Sequence, residues 1–443
     1  MPVISWIALG LAVAASGCSF DQGGVGFGGD DASSSVDARQ PADAAVTIDS
    51  APGTPDATAS IDAAPGTPDA RPSPDAMRPP DAMQPPDAMV PDPITEDVVH
   101  LPAPAEYATL ADLSLASVTI DTSNLTIDGT TPPGGAVFDT SAQDPSGPEL
   151  AVLHVRSLVV QSGQTVTVVG SRPLVIVASG TVTIQGTLDA GAKHGTPGAG
   201  GSGSGAGSGV GGDGAHTGTY SDSGGGGGGF GADGARGGNA TCGVACSDAT
   251  GGTAGSAYGN SALDTLEGGS GGGAAVNCAS DPAGAGGGAV QIYAGLTLTI
   301  SGGINAGGGG GGKGISCTGQ WGAAAGAGSG GAVFLQAPTV NLSGTIAAHG
   351  GGGGGGASNS DGHAGTDGTL SLTAPAGGAA GGTLGAVGGD GATGSVNPQH
   401  GGDASNNGNG GGGGGGVGRI RIITSSAFSN SGTASPSASA GSY

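Results

Sequence analysis

The sequence predicts an all-β chain: a β-solenoid with long glycine-rich inserts, preceded by a disordered stalk rich in proline, aspartate and alanine. Three observations predict it. An alternating apolar motif occurs four times, beginning at Leu174, Val290, Val333 and Ile420. Glycine supplies 103 of the 443 residues, far above its share in ordinary globular domains. Short Pro-Asp-Ala segments repeat before residue 97.

The first 17 residues are typical of an export signal. The apolar run from Ile4 to Ala15 is too short to span a membrane and has the length of a signal-peptide core. It is followed by Ser-Gly-Cys18, and this junction resembles the lipobox of bacterial lipoproteins. The resemblance implies a signal peptide at 1–17, Cys18 as the lipid anchor and, because Ser19 follows, the outer membrane. The n-region departs from the lipoprotein pattern because it lacks Lys and Arg. The alternative is an ordinary secretory signal in which the cysteine is incidental.

Residues 18–97 are expected to form a disordered linker. Pro-Gly-Thr-Pro-Asp-Ala occurs at 52–57 and 65–70, and Pro-Asp-Ala-Met segments follow up to Met89. Proline at this density disfavours helices and sheet ladders, and regularly spaced aspartates repel one another. We therefore expect an extended spacer between the membrane and a domain at 98–443. A proline-rich docking motif is the alternative.

The four aligned motifs predict the strands of the solenoid. Alternating apolar residues are typical of half-buried strands, and one such unit cannot bury its apolar face alone. The segments 117–129 and 151–170 alternate in the same way and are expected to form earlier rungs or a cap. Glycine is aligned in all four motifs, which indicates either a positive φ or a close backbone approach. The alignment predicts three apolar columns: Val182, Leu298, Val340 and Phe428; Ile184, Ile300 and Leu342; Leu188, Ile304 and Ile346.

Three glycine-rich inserts, at about 191–288, 307–331 and 349–418, leave the motifs at equivalent positions and should project from one face. Together they contain four runs of six or seven glycines, at 224–229, 307–312, 350–356 and 410–416. The inserts are either flexible brushes or bundles of polyglycine helices, in which chains approach closely because they lack side chains. Partial order is favoured, because scattered large apolar residues can attach the inserts to the scaffold: Phe230, Tyr258, Leu266, Trp321 and Leu384.

Four cysteines remain beyond the anchor, all in the first two inserts: Cys242, Cys246, Cys278 and Cys317. An even number in an exported chain predicts two disulfides, for which three pairings exist. We favour Cys242 with Cys246 and Cys278 with Cys317, because the second bond then ties the first insert to its neighbour. A four-cysteine zinc site is the alternative, although an oxidising compartment disfavours it.

Charge and residue spacing exclude several function classes. The chain carries 34 acidic and 10 basic residues and lacks the basic stripe that neutralises phosphates, so nucleic acid is not an expected partner. The seven histidines are dispersed, without paired metal-ligand spacing. Carboxylates do not align in the motifs as a polysaccharide-cleaving β-helix needs. We therefore expect no catalytic residues, no metal and no cofactor.

Repeated Thr-x-Thr pairs mark the polar side of the predicted strands. Such ranks resemble ice-binding surfaces and could also hydrogen-bond sugar hydroxyls, although threonine is also simply a favourable outward strand residue. A further pair occurs at Thr165 and Thr167. The candidate binding face consists of Thr181, Thr183, Thr297, Thr299, Thr339 and Asn341.

The Gly-Thr-Ile-x-Ala motif endings resemble the β-helical repeats of filamentous-haemagglutinin-type adhesins. With the lipobox, stalk and inserts, the whole chain resembles the glycine-rich surface lipoproteins of Gram-negative bacteria. The resemblance implies a right-handed parallel β-helix and a non-enzymatic structural or adhesive role at the outer membrane or cell surface. The expected partners are the membrane, through the lipid, and extracellular polysaccharide or cell-surface components. The alternatives are a carbohydrate- or ice-binding solenoid and, second, a β-helix polysaccharide-cleaving enzyme.

Overall fold

The computed structural model describes residues 97–102, 110–217, 221–243, 247–278 and 281–443. The predicted signal peptide, the anchor Cys18 and nearly all of the predicted linker lie outside the described residues. Within the described part the chain is all-β, without a helix, and its main sheets are parallel. This part of the fold-class prediction is confirmed.

The described residues form twenty-two strands, most of them three to six residues long. In chain order they are β1 (Asp112–Leu115), β2 (Thr119–Asp121), β3 (Thr126–Ile127), β4 (Val137–Ser141), β5 (Leu150–Val155), β6 (Ser157–Val160), β7 (Thr165–Val169), β8 (Leu174–Ala178), β9 (Val182–Ile184), β10 (Thr187–Asp189), β11 (Ala289–Ala294), β12 (Thr297–Ile300), β13 (Gly303–Asn305), β14 (Ser316–Cys317), β15 (Gln320–Trp321), β16 (Ala332–Gln336), β17 (Thr339–Leu342), β18 (Thr345–Ala347), β19 (Arg419–Ile423), β20 (Ala427–Asn430), β21 (Thr433–Ser435) and β22 (Ser439–Gly441).

The strands form three large sheets, which the chain visits in a fixed rotation. Sheet A has the order β1-β6-β9-β12-β17-β20, sheet B the order β21-β18-β13-β10-β7-β2-β3, and sheet C the order β22-β19-β16-β11-β8-β5-β4. Consecutive trios such as β8, β9 and β10 therefore place one strand in each sheet, and we call such a trio a rung. Neighbouring rungs pair in parallel, whereas β3 and β4 close one edge of their sheets as antiparallel strands. This topology is compatible with a β-solenoid.

The apolar columns predicted from the aligned motifs are present in the strand registers. In sheet A, Val182 pairs with Leu298, which pairs with Val340. In sheet B, Leu188 pairs with Ile304, which pairs with Ile346. These side chains are fully buried and belong to one apolar core that also receives the inward residues of sheet C. Stacking of the rungs thus buries the apolar side chains that a single rung would leave exposed.

The aligned glycines mark a close approach between rungs. A Cβ atom on Gly302 would lie 2.0 Å from the carbonyl oxygen of Gly186, and one on Gly344 would lie 1.9 Å from that of Gly302. These glycines do not have positive φ. Of the two explanations left open by the sequence, the close backbone approach is therefore the one observed.

The glycine runs of the inserts are buried and packed against one another. Their N–H groups find partners with a period of three, as the run 410–416 illustrates. Gly410, Gly413 and Gly416 donate to the carbonyls of residues 222, 225 and 228. Gly411 and Gly414 donate to the carbonyls of residues 402 and 399. Gly412 and Gly415 donate to those of residues 354 and 351. A repeat of three residues per turn, without hydrogen bonds inside each segment and with hydrogen bonds between neighbouring segments, is the geometry of bundled polyglycine or polyproline II helices. We call this assembly the glycine bundle.

Many positions inside the glycine bundle admit only glycine. A Cβ atom on Gly412 would lie 1.9 Å from the carbonyl oxygen of Ala325, and one on Gly353 would lie 2.1 Å from that of Gly412. The hydrogen that replaces Cβ points at these oxygens, in the manner of the weak Cα–H···O bonds found between close backbones. Of the two alternatives for the inserts, the bundled one is therefore observed, and the flexible brush is not.

The first insert also covers the outer face of sheet C. Phe230, Leu263 and Leu266 are buried there against outward residues such as Tyr293 and Phe334. Phe230 and Leu266 thus attach the insert to the scaffold as expected. Trp321 and Leu384 do not belong to this cluster, so the expectation that they attach inserts to the scaffold is wrong for this pair.

The segment 97–102 lies on the same face of sheet C. The side-chain carboxamide of Gln336 accepts a hydrogen bond from Val99 N at 3.0 Å and donates one to Asp97 O at 2.7 Å. Gln291 donates to Val99 O at 2.6 Å, and its Oε1 lies 2.7 Å from His100 Nδ1. Buried polar groups on sheet C thereby fix the point at which the chain enters the domain.

Candidate functional site

The six residues of the candidate binding face lie together on the outer side of sheet A. Thr297 pairs with Thr339, and Thr299 pairs with both Thr183 and Asn341. Thr181 immediately precedes Val182, the register partner of Leu298, and so continues the column of Thr297. The two columns cross neighbouring strands about 4.8 Å apart, and two residues along a strand separate the columns by about 6.7 Å. We call this array the threonine face.

The residues of the threonine face are partly or fully accessible to solvent. Thr181 is exposed and the other five residues are half-buried. Within the described residues, none of the five threonine hydroxyls forms a hydrogen bond to another protein group. The buried apolar residues of the first insert pack on sheet C and not on this face. Hydroxyls on a flat lattice, each able to donate and accept, suit a ligand with regularly spaced hydroxyls or ordered water.

The threonine face spans three rungs. In β6 the outward positions are occupied by Ser157 and Val159, and in β20 by Ala427 and Ser429. Thr165 and Thr167 belong to β7 in sheet B, so that Thr-x-Thr pair faces another direction. A charged pair lies at the β1 end, where Arg156 forms a bidentate ion pair with Asp112 and lowers the pKa of that exposed carboxyl.

The cysteines cross-link the inserts. Cys278 and Cys317, the pair favoured by the sequence analysis, form a disulfide with a Cα–Cα distance of 5.5 Å. The bond joins the first insert to the hairpin of β14 and β15 in the second. Cys242 is also disulfide-bonded. Its expected partner Cys246 lies outside the described residues.

Buried histidines in the domain have structural surroundings. His349 lies where the third insert leaves sheet B, fully buried, with Nε2 2.7 Å from Ser435 Oγ. Desolvation lowers its pKa to about 4, so the imidazole is neutral at pH 7. Burial also lowers the pKa of His154, against the opposing influence of Asp139, whose Oδ1 lies 3.4 Å from Nε2. Among the described residues, no group of three or more His, Cys, Asp or Glu side chains is placed to hold a metal ion.

The sequence analysis missed the outward glutamines of sheet C. Gln291 and Gln336 sit at polar positions in otherwise apolar strands, and this interruption was the available signal. Their burial depends on the segment 97–102, whose position the strand pattern does not predict. No helix long and apolar enough to cross a membrane is found in the described part of the chain.

No known protein family, curated protein sequence or solved structure matches the chain.

Proposed function

We propose that the chain is a lipid-anchored, non-enzymatic protein of the bacterial outer membrane or cell surface, with a structural or adhesive role. In this proposal residues 98–443 form a right-handed parallel β-helix, residues 18–97 a disordered stalk, and Cys18 the anchor. The fixed rotation through three parallel sheets supports the β-helix, and right-handed crossovers are strongly preferred between parallel strands. Extracellular polysaccharide or other cell-surface components are the proposed partners.

The observation that carries the proposal is the glycine bundle. Its interior consists of glycine with a few alanine and serine residues and is held by backbone hydrogen bonds between neighbouring segments in several directions, so it is a stiff element rather than a chemical one. It is attached to a scaffold whose exposed sheet A is polar and nearly uncharged on its outer side. A stiff projection beside a flat polar face suits display and attachment. The net charge of −24 keeps neighbouring copies apart.

The anchor is tested by metabolic labelling with radioactive palmitate. The wild-type chain should incorporate label, and Cys18→Ser should abolish it. Cys317→Ser is the matched control, because it removes another cysteine and should remain labelled. Equal labelling of the Cys18→Ser variant would contradict the anchor.

The adhesive role is tested by binding the full chain to the producing cells' own envelopes and to purified extracellular polysaccharide. We expect saturable binding. A variant lacking residues 192–287 and 351–416 distinguishes the surfaces: loss of binding assigns it to the first and third inserts, and retention assigns it to the strands or the second insert. No binding by the wild-type chain would contradict adhesion and favour a passive structural role.

A second candidate function, binding of carbohydrate or ice through the threonine face, is supported by the register of its two columns. The quadruple replacement of Thr181, Thr183, Thr297 and Thr299 by valine keeps the shape and removes the hydroxyls. The matched control replaces four outward threonines of sheet B by valine: Thr165, Thr187, Thr345 and Thr433. Ice-recrystallisation inhibition or polysaccharide binding lost only in the first variant would support this candidate, whereas unchanged activity in both would exclude the threonine face.

A further inference from the structure

A concave site lies at the end of the glycine bundle that is remote from the sheets. The second insert runs out from β13 along residues 307–314, reverses in the β14–β15 hairpin and returns along 322–331 to β16. Eight residues of polyglycine II chain cover about 25 Å. Where the hairpin meets the reversals of the third insert, a cavity of about 320 Å³ opens to solvent. Six side chains that line it are Trp321, Asn359, Thr383, Leu384, Asn406 and Asn407. We call it the tip pocket.

The aromatic wall of the tip pocket is held rigidly from behind. Trp321 ends β15 and pairs with Ser316 across the hairpin. The neighbouring strand β14 carries Cys317, whose disulfide to Cys278 fixes the hairpin to the first insert. A further hydrogen bond of 3.1 Å runs from Asn277 Nδ2 to Gln320 Oε1. The half-buried indole therefore has a defined position without being covered.

The amide wall is equally fixed. Asn359 Oδ1 accepts hydrogen bonds from Ser358 Oγ at 2.9 Å and Thr383 N at 3.3 Å, which leaves its NH₂ group as a donor. Asn407 Oδ1 accepts from Gly243 N at 2.7 Å. Asn406 and Asn407 both have left-handed backbones, with φ of 53° and 67°. Two successive non-glycine residues in this region are uncommon, and such conformations occur where the surroundings impose them, often at ligand sites.

The chemistry of the tip pocket matches a neutral sugar. An aromatic face with an adjacent leucine accepts the C–H face of a pyranose ring, and amides with a hydroxyl can pair with vicinal sugar hydroxyls. The eight residues that line the pocket are all uncharged. With a net charge of −24, the chain disfavours phosphorylated or carboxylated ligands. The volume is at the small end for ligand sites, as one or two sugar residues require.

We propose that the tip pocket binds a terminal neutral saccharide of a cell-surface or extracellular glycan, with Trp321 stacked under the ring and Asn359 and Asn406 pairing with its hydroxyls. This inference rests on the proposed adhesive role and names its ligand class. It places recognition at the end of the projection rather than on the threonine face.

The fluorescence of Trp321 provides the test. The chain has one other tryptophan, Trp6, so the full-length Trp6→Phe protein reports on Trp321 alone. The probes are glucose, galactose, mannose, N-acetylglucosamine and their common disaccharides, with glucuronate, a nucleoside and a short neutral peptide for comparison. At about 50 mM a neutral sugar with a millimolar Kd nearly saturates the site. We expect a saturable shift of the emission with at least one neutral sugar and none with glucuronate.

Variants assign the effect to the tip pocket. By calorimetry, Trp321→Ala and Asn406→Ala should weaken sugar binding about tenfold or more, and Trp321→Phe should retain part of it. Leu296→Ala and Asn430→Ala are matched controls, because Leu296 is exposed just before β12 and Asn430 is exposed at the end of β20, and they should bind normally. Thermal unfolding verifies that each variant folds. No response to any neutral sugar, binding only of the nucleoside or peptide, or binding unaffected by Trp321→Ala would each overturn the inference.

Envelope binding separates this inference from the adhesive role on which it rests. Adhesion without a sugar response leaves the adhesive role standing and removes the tip pocket as a saccharide site. A sugar response with adhesion unchanged in Trp321→Ala supports the pocket and assigns adhesion to another surface. Loss of both sugar binding and envelope adhesion in Trp321→Ala would assign adhesion to the tip pocket.

Discussion

Replacing Gly412 by alanine should destabilise the domain strongly. The added Cβ would lie 1.9 Å from the carbonyl oxygen of Ala325, and real Cβ atoms essentially never come closer than 3.0 Å to another heavy atom. The two chains must therefore separate by about 1 Å. Ala325 O accepts a hydrogen bond from Gly354 N at 3.0 Å, and Gly412 N donates to Gly354 O at 2.9 Å. A displacement of this size takes such bonds out of hydrogen-bonding range.

The expected cost follows from two contributions. Overpacking of a tight interior costs about 1–3 kcal/mol, and each buried backbone group left without a partner about 1–3 kcal/mol. With one such group left unpaired, the two contributions lower the free energy of unfolding by about 2–6 kcal/mol. For a domain of this size, roughly 2 °C of Tm is lost per kcal/mol, so Tm should fall by about 4–12 °C. Thermal and urea unfolding of the full chain measure this, and amide exchange of residues 410–416 shows whether the loss is local.

Gly203→Ala is the matched control. This glycine also belongs to an insert, has no positive φ, and an added Cβ would have no heavy atom within 4 Å. Alanine there should be neutral or stabilise by up to about 1 kcal/mol, because it restricts the unfolded chain. If both variants unfolded within about 0.5 kcal/mol of each other, the close-packed glycine bundle would be refuted.

Three further predictions concern buried contacts outside the bundle core. The unfolded chain protonates His349 as the pH falls below 6.5, whereas the folded chain protonates it only near its pKa of about 4, so the free energy of unfolding should fall by about 2 kcal/mol between pH 7 and 4.5. Urea unfolding should show a smaller decrease over this pH range in His349→Gln, and an equal decrease would contradict the burial of His349. Replacing Cys278 and Cys317 together by serine opens a 39-residue connection and should cost about 4 kcal/mol by urea unfolding, with Cys317→Ser alone giving nearly the same loss. Gln336→Leu leaves Val99 N and Asp97 O without partners, so it should cost about 1–3 kcal/mol and speed proteolysis near 97–102, whereas Leu296→Ala should leave both unchanged.

The strand registers could be predicted from the sequence because each apolar column repeats an inward position. Aligning Leu174 with Val290 and, with a one-residue gap, with Val333 places Val182 beside Leu298 and Val340, and the sheets have these pairs. A slip of one residue would turn every apolar side chain outward, so the alternation fixes the register strongly. The glycine aligned in the motifs also predicted the position at which the backbones of successive rungs approach closely.

The number of strands per rung could not be read from the same pattern. Thr165 and Thr167 resemble Thr181 and Thr183 in sequence, but the first pair lies on the third strand of its rung and the second pair on the second strand of the next. Alternation with a period of two predicts which side of its strand a residue faces, but not which of the three sheets the strand belongs to. The threonine face is therefore smaller than a sequence rank of Thr-x-Thr pairs suggests.

The packing of the inserts was beyond sequence reasoning for a different reason. Runs of glycine have no side-chain pattern. The sequence therefore does not indicate that Gly412 contacts the second and third inserts. The contacts depend on the lengths of the runs and on where each reverses. Trp321 and Leu384 illustrate this, because their apolar character predicted a contact with the scaffold, whereas both lie at reversals remote from it.

The composition of the glycine bundle restricts where this protein can recognise anything. Backbone groups inside the bundle are paired with one another, and glycine, alanine and a few serines fill it, so the interior supplies stiffness rather than a binding surface. Side chains can be displayed at the chain reversals and on the uncovered sheet A. Asparagine, threonine and tryptophan meet at one set of reversals, and threonine forms the columns of sheet A. The two surfaces share no residue, so substitutions at Trp321 and at Thr183 should affect ligand binding independently, and a binding defect common to both would show that the ligand spans the domain.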